Sequence, residues 1–240
     1  MTFIDIHSHI LPGIDDGAEN MEETIKMIRI AINEGIGAII VTPHYKGGCP
    51  EQMRTSVNNA VEKVNNEINK LGLKLQLYKG SEIYYSETSV EGLINNSLLT
   101  MAGSRYVLVE FYPMADYQYI FTAIHRLISE GFLPIIAHTE RYKFVYDSIE
   151  RIEELIELGA LIQVNASSFL TRRDRRRKKL SRQLLKKRWV HYVSTDAHDD
   201  SLRPPLIKKC AKYIAKKSGK DYANELFFKN PMKIINKDYN

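Results

Sequence analysis

The chain has 240 residues, 44% hydrophobic and 26% charged, with a formal net charge of +5, an ordinary balance for a soluble globular protein. No apolar run approaches the ~20 residues needed to span a bilayer, and no basic stretch followed by an apolar one marks a signal peptide, so a cytoplasmic protein is expected. Its two cysteines, Cys49 and Cys210, exclude a disulfide framework, and neither has an arginine six positions on (Thr55 and Lys216 stand there), which argues against a thiol phosphatase.

In chain order, short β-branched runs at 3–6, 38–42, 74–79, 106–109, 133–137, 161–164 and 191–194 predict strands. Helical periodicity lies between them, near 21–34, 52–71, 117–130, 147–158, 174–187 and 204–217. Gly35, Gly72, Gly131 and Gly159 follow four of these helices, as helix-ending residues do. The 84–103 segment reads as a loop carrying one short helix, and no element is assigned beyond 217. Seven βα units without a Pro/Ser-rich linker imply a parallel sheet in one α/β domain spanning 1–240.

Charge is concentrated. Between 172 and 188 lie eleven Lys/Arg and one acid, Asp174, so this block alone carries +10 against +5 for the whole chain. Leu180, Leu184 and Leu185 recur at helical spacing, which predicts an amphipathic helix. Its basic face is either plainly solvated or a lure for phosphate, acidic peptide or nucleic acid.

The residues following the strands carry the chemistry. His7 and His9 follow the first strand, His44 the second, Glu82 the third, Glu110 the fourth, His138 the fifth, and Asp196 and His198 the seventh; Asn165 ends the sixth. Taken singly, these are half-buried pairs, turn residues or surface carboxylates. Taken together they favour a closed barrel over an open sheet, because strand C-termini converge at a barrel's mouth. Five imidazoles with Asp16, Glu82, Glu110 and Asp196 exceed the needs of one tetrahedral ion, and suit two or three ions of Zn, Mn or Fe.

These residues resemble the PHP (polymerase and histidinol phosphatase) superfamily. His7-Ser8-His9 running on to Asp15-Asp16-Gly17 is similar to the capsule-type tyrosine phosphatase branch. Thr42-Pro43-His44, Gly80-Ser81-Glu82, Val109-Glu110, Ala137-His138 with Arg141, Asn165 and Ser194-Thr195-Asp196-Ala197-His198 follow in family order. The resemblance spans about residues 3–217 and implies a distorted seven-stranded parallel β/α (TIM-like) barrel of the PHP type holding three metal ions, often manganese. It implies His7, His9, Glu82 and Asp196 around the first ion; Glu82, Glu110 and His138 around the second; and Asp16, His44 and His198 around the third. Arg141 and Arg203 match substrate-phosphate ligands.

The resemblance further implies a metal-dependent protein-tyrosine phosphatase whose substrate is the tyrosine-rich tail of a membrane-linked bacterial kinase controlling capsule or exopolysaccharide synthesis. Neither membrane insertion nor stable nucleic-acid binding is expected. The competing readings are an amidohydrolase, which commonly has a lysine ligand where Glu110 stands, a PHP phosphatase of a small metabolite such as histidinol phosphate, and a nucleic-acid-binding protein built on the 172–188 block.

Overall fold

The computed structural model describes residues 2–238. Nine strands, all paired in parallel, form its centre: β1 (Phe3–Ser8), β2 (Ile36–Val41), β3 (His44–Tyr45), β4 (Gln76–Lys79), β5 (Glu82–Tyr84), β6 (Tyr106–Glu110), β7 (Leu133–Ile136), β8 (Leu161–Asn165) and β9 (Tyr192–Ser194). They pair in the orders β1-β2-β4 and β3-β5-β6-β7-β8-β9.

Seven of the nine strands fall on the seven expected runs; β3 and β5 lie just beyond the second and third runs, so His44 and Glu82, expected to follow strands, instead open short ones. Between β2 and β3 lie Thr42 and Pro43, and proline has no N–H to give a ladder. Between β4 and β5 the chain passes Gly80, where a side chain would press on Ile40 Cγ2 and Met101 Sδ at 3.0 and 3.1 Å. The curled sheet meets itself at its C-terminal edge. Ser8 bridges Ala197, His9 N donates to Ala197 O at 2.8 Å, and Asp196 N donates to His7 O at 2.9 Å. The result is a distorted parallel barrel of the PHP type, flanked by helices.

The helices are α1 (Met21–Glu34), α2 (Pro50–Lys70), α3 (Glu87–Ile94), α4 (Tyr117–Ser129), α5 (Lys143–Asp147), α6 (Arg151–Leu158), α7 (Ala166–Leu170), α8 (Arg175–Lys186), α9 (Lys208–Ser218), α10 (Lys220–Asn224) and α11 (Asn230–Asn236). Asn20 caps α1 by accepting from Glu23 N, and Gly35 ends it in the left-handed region, as its position in the sequence suggests. The basic block does form an amphipathic helix, α8, which buries Leu180, Leu184 and Leu185. The helix expected from 204 begins at Lys208: Pro204 and Pro205 have no N–H to give, and Leu206 N turns back to Pro204 O at 2.8 Å. Glu34 Oε2 then accepts both Ile207 N and Lys208 N, at 3.0 and 2.8 Å, and so serves the start of α9.

Apolar side chains form two cores. The larger lies between sheet and helices. The smaller fills the barrel with Ile4, Ile6, Ile40, Leu108 and Ile135, and Ile234 of α11 joins it. The C-terminal segment, unassigned by sequence, is therefore part of the barrel core. Phe227 packs on Phe3 with ring centroids 5.6 Å apart. With apolar packing at this end, the polar strand-end residues gather at the other.

Candidate metal centre at the strand C-termini

All nine expected ligands, His7, His9, Asp16, His44, Glu82, Glu110, His138, Asp196 and His198, gather in one cluster. Glu82 is fully buried at its centre. Its Oε2 lies 3.2 Å from His7 Nε2, 3.3 Å from His9 Nε2 and 3.0 Å from His44 Nδ1, and its Oε1 lies 2.9 Å from His138 Nε2. Glu110 Oε1 is 3.3 Å from His138 Nε2, and Asp16 Oδ1 is 3.4 and 3.8 Å from the Nε2 atoms of His44 and His198. His125 and His191 stand apart from the cluster.

Among the described residues, three overlapping ligand sets have their atoms within 4.8 Å of one another: His7, His9 and Glu82; His44, Glu82 and Glu110; and His9, Asp16, His44 and His198. His9 and His44 each belong to two sets, a more shared grouping than the one implied by the family resemblance.

The chain bends sharply to bring these groups together. His138 and Asp196 adopt left-handed backbone, with φ of 31° and 53°, a conformation that costs a non-glycine residue about 1–3 kcal/mol. Gly17 lies so close to the His9 carbonyl that any Cβ there would collide with it, which lets the 10–17 loop fold over His9. Strand β1 shifts register between Asp5 and Ser8, directly beneath His7.

Several imidazoles are oriented from behind, His9 and His7 by Asp15 and Gln163, to which the sequence assigned no role. Asp15 Oδ2 lies 2.7 Å from His9 Nδ1 and accepts His44 N at 2.9 Å. Gln163 Oε1 lies 3.3 Å from His7 Nδ1 and accepts His138 N at 2.5 Å. His198 Nδ1 lies 3.0 Å from the Asp196 carbonyl. Each of these contacts fixes one ring nitrogen of His7, His9 and His198 and turns the other towards the cluster, the habit of metal-binding histidines.

Electrostatics follow from burial without water. Burial disfavours the Glu82 carboxylate, but the His7 charge, the hydrogen bond from His138 and the close imidazoles of His44 and His7 outweigh it and hold Glu82 well below the usual range. Asp196 is lowered in the same way: burial opposes ionisation, and His7, Arg141 and His138 overcome it. Burial disfavours the charged form of His9, yet Asp15 and Glu82 raise it to about 10; His138, similarly opposed by burial, is raised to about 9 by Glu110 and Glu82. Protons on imidazoles thus balance buried carboxylates, a task a divalent cation performs with the same atoms.

The donor set fits such ions. Glu82 Oε2, Glu110 Oε2 and His44 Nδ1 are buried without a well-directed hydrogen bond, although Glu82 Oε2 and His44 Nδ1 are only 3.0 Å apart. The His7 and His9 Nε2 atoms face each other at 3.2 Å. Lone pairs aimed at a common point rather than at hydrogens suit a shared cation.

At the edge of the cluster, Arg141 Nη2 and Arg203 Nη2 both donate to Asp196 Oδ2, at 2.7 and 2.8 Å, and Asn165 Nδ2 reaches the same oxygen at 2.7 Å. They border a cavity of about 340 Å³ that Leu170, Thr171 and Leu202 also line. Cys210 lies beside it, fully buried, and burial raises its thiol well above the usual range, so no thiolate nucleophile is available there.

Comparison with known proteins agrees across the chain. Residues 3–236 match the family model described as "Capsular polysaccharide synthesis, CpsB/CapC". The tyrosine-protein phosphatase CpsB of Streptococcus agalactiae is 32% identical over 241 residues, covering 98% of this chain and 99% of that protein. CpsB of Streptococcus pneumoniae is 33% identical over 237 residues, covering 97% and 98%, and YwqE of Bacillus subtilis is 32% identical over 200 residues, covering 83% and 79%. A solved structure from work on YwqE and CpsB, described as unique metal-dependent tyrosine phosphatases, superposes with a TM-score of 0.90 at 29% identity, covering 98% of this chain and 95% of that one. A phosphotriesterase homology protein of Escherichia coli, at 11% identity and a TM-score of 0.61 over 97% and 98% of the two chains, shares the fold alone. From end to end, then, this chain belongs to the CpsB/CapC family, the capsule-associated tyrosine-phosphatase branch of the PHP superfamily.

Proposed function

We propose that the chain is a cytoplasmic, metal-dependent protein-tyrosine phosphatase that hydrolyses phosphotyrosine in the tyrosine-rich tail of a membrane-linked bacterial kinase governing capsule or exopolysaccharide synthesis. The observation that carries this reading is Glu82, a buried carboxylate with four imidazoles within 3.3 Å, set beside two arginines at a cavity. Full-length similarity to CpsB and YwqE supports the substrate class. Among the described residues no helix is long and apolar enough to cross a membrane.

In this reading His7, His9, Glu82 and Asp196, with Glu110, His138, Asp16, His44 and His198, hold three divalent ions, most simply manganese. Such ions lower the pKa of water and neutralise phosphoryl charge. The protein's own groups do the rest. Asp15 and Gln163 keep imidazoles in register. Arg141 and Arg203, with side chains 30% and 41% exposed, keep donors free for phosphoryl oxygens while Asp196 anchors one nitrogen of each. The tyrosine leaving group, with a pKa near ~10, needs less help from an acid than a serine alkoxide does.

Side-by-side assays of the manganese-supplemented protein on a phosphotyrosine peptide, histidinol phosphate and a dipeptide or lactam test this reading. Phosphotyrosine should be preferred. Preference for histidinol phosphate would favour a small-metabolite phosphatase, and turnover of only the amide substrates would favour an amidohydrolase.

A further inference from the structure

We propose that the exposed basic surface running from Arg172 along α8 is an exosite that captures an acidic stretch of the substrate polypeptide and guides its phosphotyrosine to Arg141 and Arg203. The proposal rests on the phosphatase reading and adds to it a determinant of specificity.

Continuity is the first support. Leu170 and Thr171 line the cavity that Arg141 and Arg203 border, and the chain leaves that cavity directly into Arg172 and Arg173, both exposed. Helix α8 begins two residues later and packs against the Thr139–Arg141 turn. The basic surface therefore starts at the mouth.

Unbalanced charge is the second. The one acid of the block, Asp174, is already used: it accepts Arg177 N at 2.8 Å as the helix cap and lies 3.3 Å from Arg177 Nε. Arg176 stacks over Tyr146 and Arg182 over Tyr213, with centroid distances of 4.3 and 4.8 Å. Among the described residues, Arg172, Arg173, Arg175, Lys178, Lys179 and Lys186 form no ion pair within 4.0 Å. Arg175, Lys178, Lys179, Arg182 and Lys186 line one shallow groove of about 410 Å³. Like charges three and four residues apart destabilise a helix, and the buried leucines on its other face hold this one in place. An anionic strand laid in the groove relieves that repulsion.

The partner's chemistry follows from what accompanies the charge. None of the exposed large hydrophobic side chains lies on α8, so it lacks the apolar face by which amphipathic helices enter lipid. The neighbouring Tyr146 and Tyr213 already sit beneath guanidinium groups and are not free to stack on bases. A groove of cations leading into a phosphate site matches a polypeptide rich in Glu, Asp or phosphotyrosine. Twelve helical residues extend about 18 Å, the reach of about five extended residues. Because that surface starts at the mouth, the recognised acids lie within roughly the first five to six residues beside the phosphotyrosine.

The test compares kcat/KM of the manganese-loaded full chain on phosphotyrosine peptides bearing Glu or Gln at those distances, on either side. The Glu peptide should be favoured about tenfold through KM near 50 mM salt, and the advantage should vanish near 500 mM. Arg175→Glu/Lys178→Glu/Lys179→Glu should abolish the advantage while hydrolysis of p-nitrophenyl phosphate stays unchanged. Equal kcat/KM for the two peptides, or an advantage that survives the charge reversal, overturns the exosite. So does charge-reversal-sensitive binding of anionic vesicles or duplex DNA with none of the acidic peptide. If no aryl phosphate or peptide is turned over, the phosphatase reading fails instead, and fluorescence binding of the labelled Glu and Gln peptides then decides the exosite.

Discussion

Arg141 and Asp196 meet across 2.7 Å, the guanidinium Nη2 donating to Oδ2 of a carboxylate whose Oδ1 faces His7 and His9 at 3.4 and 3.6 Å. One side chain thus joins the histidine and carboxylate cluster to the two arginines proposed to bind phosphate, and Arg203 reaches the same Oδ2 at 2.8 Å. The position of each arginine is set by the group that also belongs to the proposed ion site.

Replacing Arg141 by alanine should lower kcat/KM on phosphotyrosine peptide by about two to three orders of magnitude, as loss of one charge-stabilising donor does. Arg141→Lys should not restore it, because an ammonium cannot bond Asp196 and a phosphoryl oxygen with a planar fork. Steady-state kinetics give the answer, and a wild-type rate in Arg141→Ala would reduce this residue to a scaffold.

Asp15→Asn should weaken metal affinity or activity by about 10–100-fold without unfolding the protein, since Asp15 orients His9 through Nδ1 and touches the rest of the cluster only through the backbone of His44. Titrating metal-stripped protein with Mn²⁺ and following activity measures the shift. An unchanged activation midpoint and maximal rate would remove Asp15 from the site.

Asp15 also marks the limit of sequence reading. The strand-end histidines and acids were legible because each closes an apolar, β-branched run; His138 directly follows Ile135, Ile136 and Ala137. Asp15 and Asp16 are chemically identical neighbours, and no period distinguishes the one that supports His9 from the one that faces His44. That depends on Gly17 letting the loop close over His9. Gln163 lies inside a strand, where an amide is unremarkable until its partners are seen. The barrel was legible from seven runs, but the short strands β3 and β5, which resume beyond the breaks at Pro43 and Gly80, were not. The C-terminal segment was missed because a π-helical turn over Glu225–Lys229 disrupts the 3.6-residue period between α10 and α11.

That segment should matter to stability. Ile234 is fully buried in the barrel core beside Ile4, Ile6 and Leu108. Ile234→Ala should cost about 2–5 kcal/mol in urea unfolding and leave kcat of the folded fraction near wild type. Loss of less than 1 kcal/mol would show that α11 is dispensable to the core.

His191 supplies a pH dependence distant from the ligands. Burial lowers its imidazole from 6.5 to about 4, and its Nδ1 accepts Ile162 N at 3.1 Å, so the folded chain holds the ring neutral. The unfolded chain binds more protons between those two values. The neutral ring's contribution to stability is complete above about 6.5 and is lost as pH falls through about 4. His191→Gln should flatten the decline of urea midpoints across that window; identical slopes in both proteins would contradict this.

The most direct test of the metal centre is elemental analysis of the purified protein, before and after chelation, alongside phosphotyrosine-peptide hydrolysis. More than one divalent ion per chain, activity lost on stripping and regained with Mn²⁺, and both lost in Glu82→Gln, are the expected results. Full activity in protein shown to be free of metal would contradict the account.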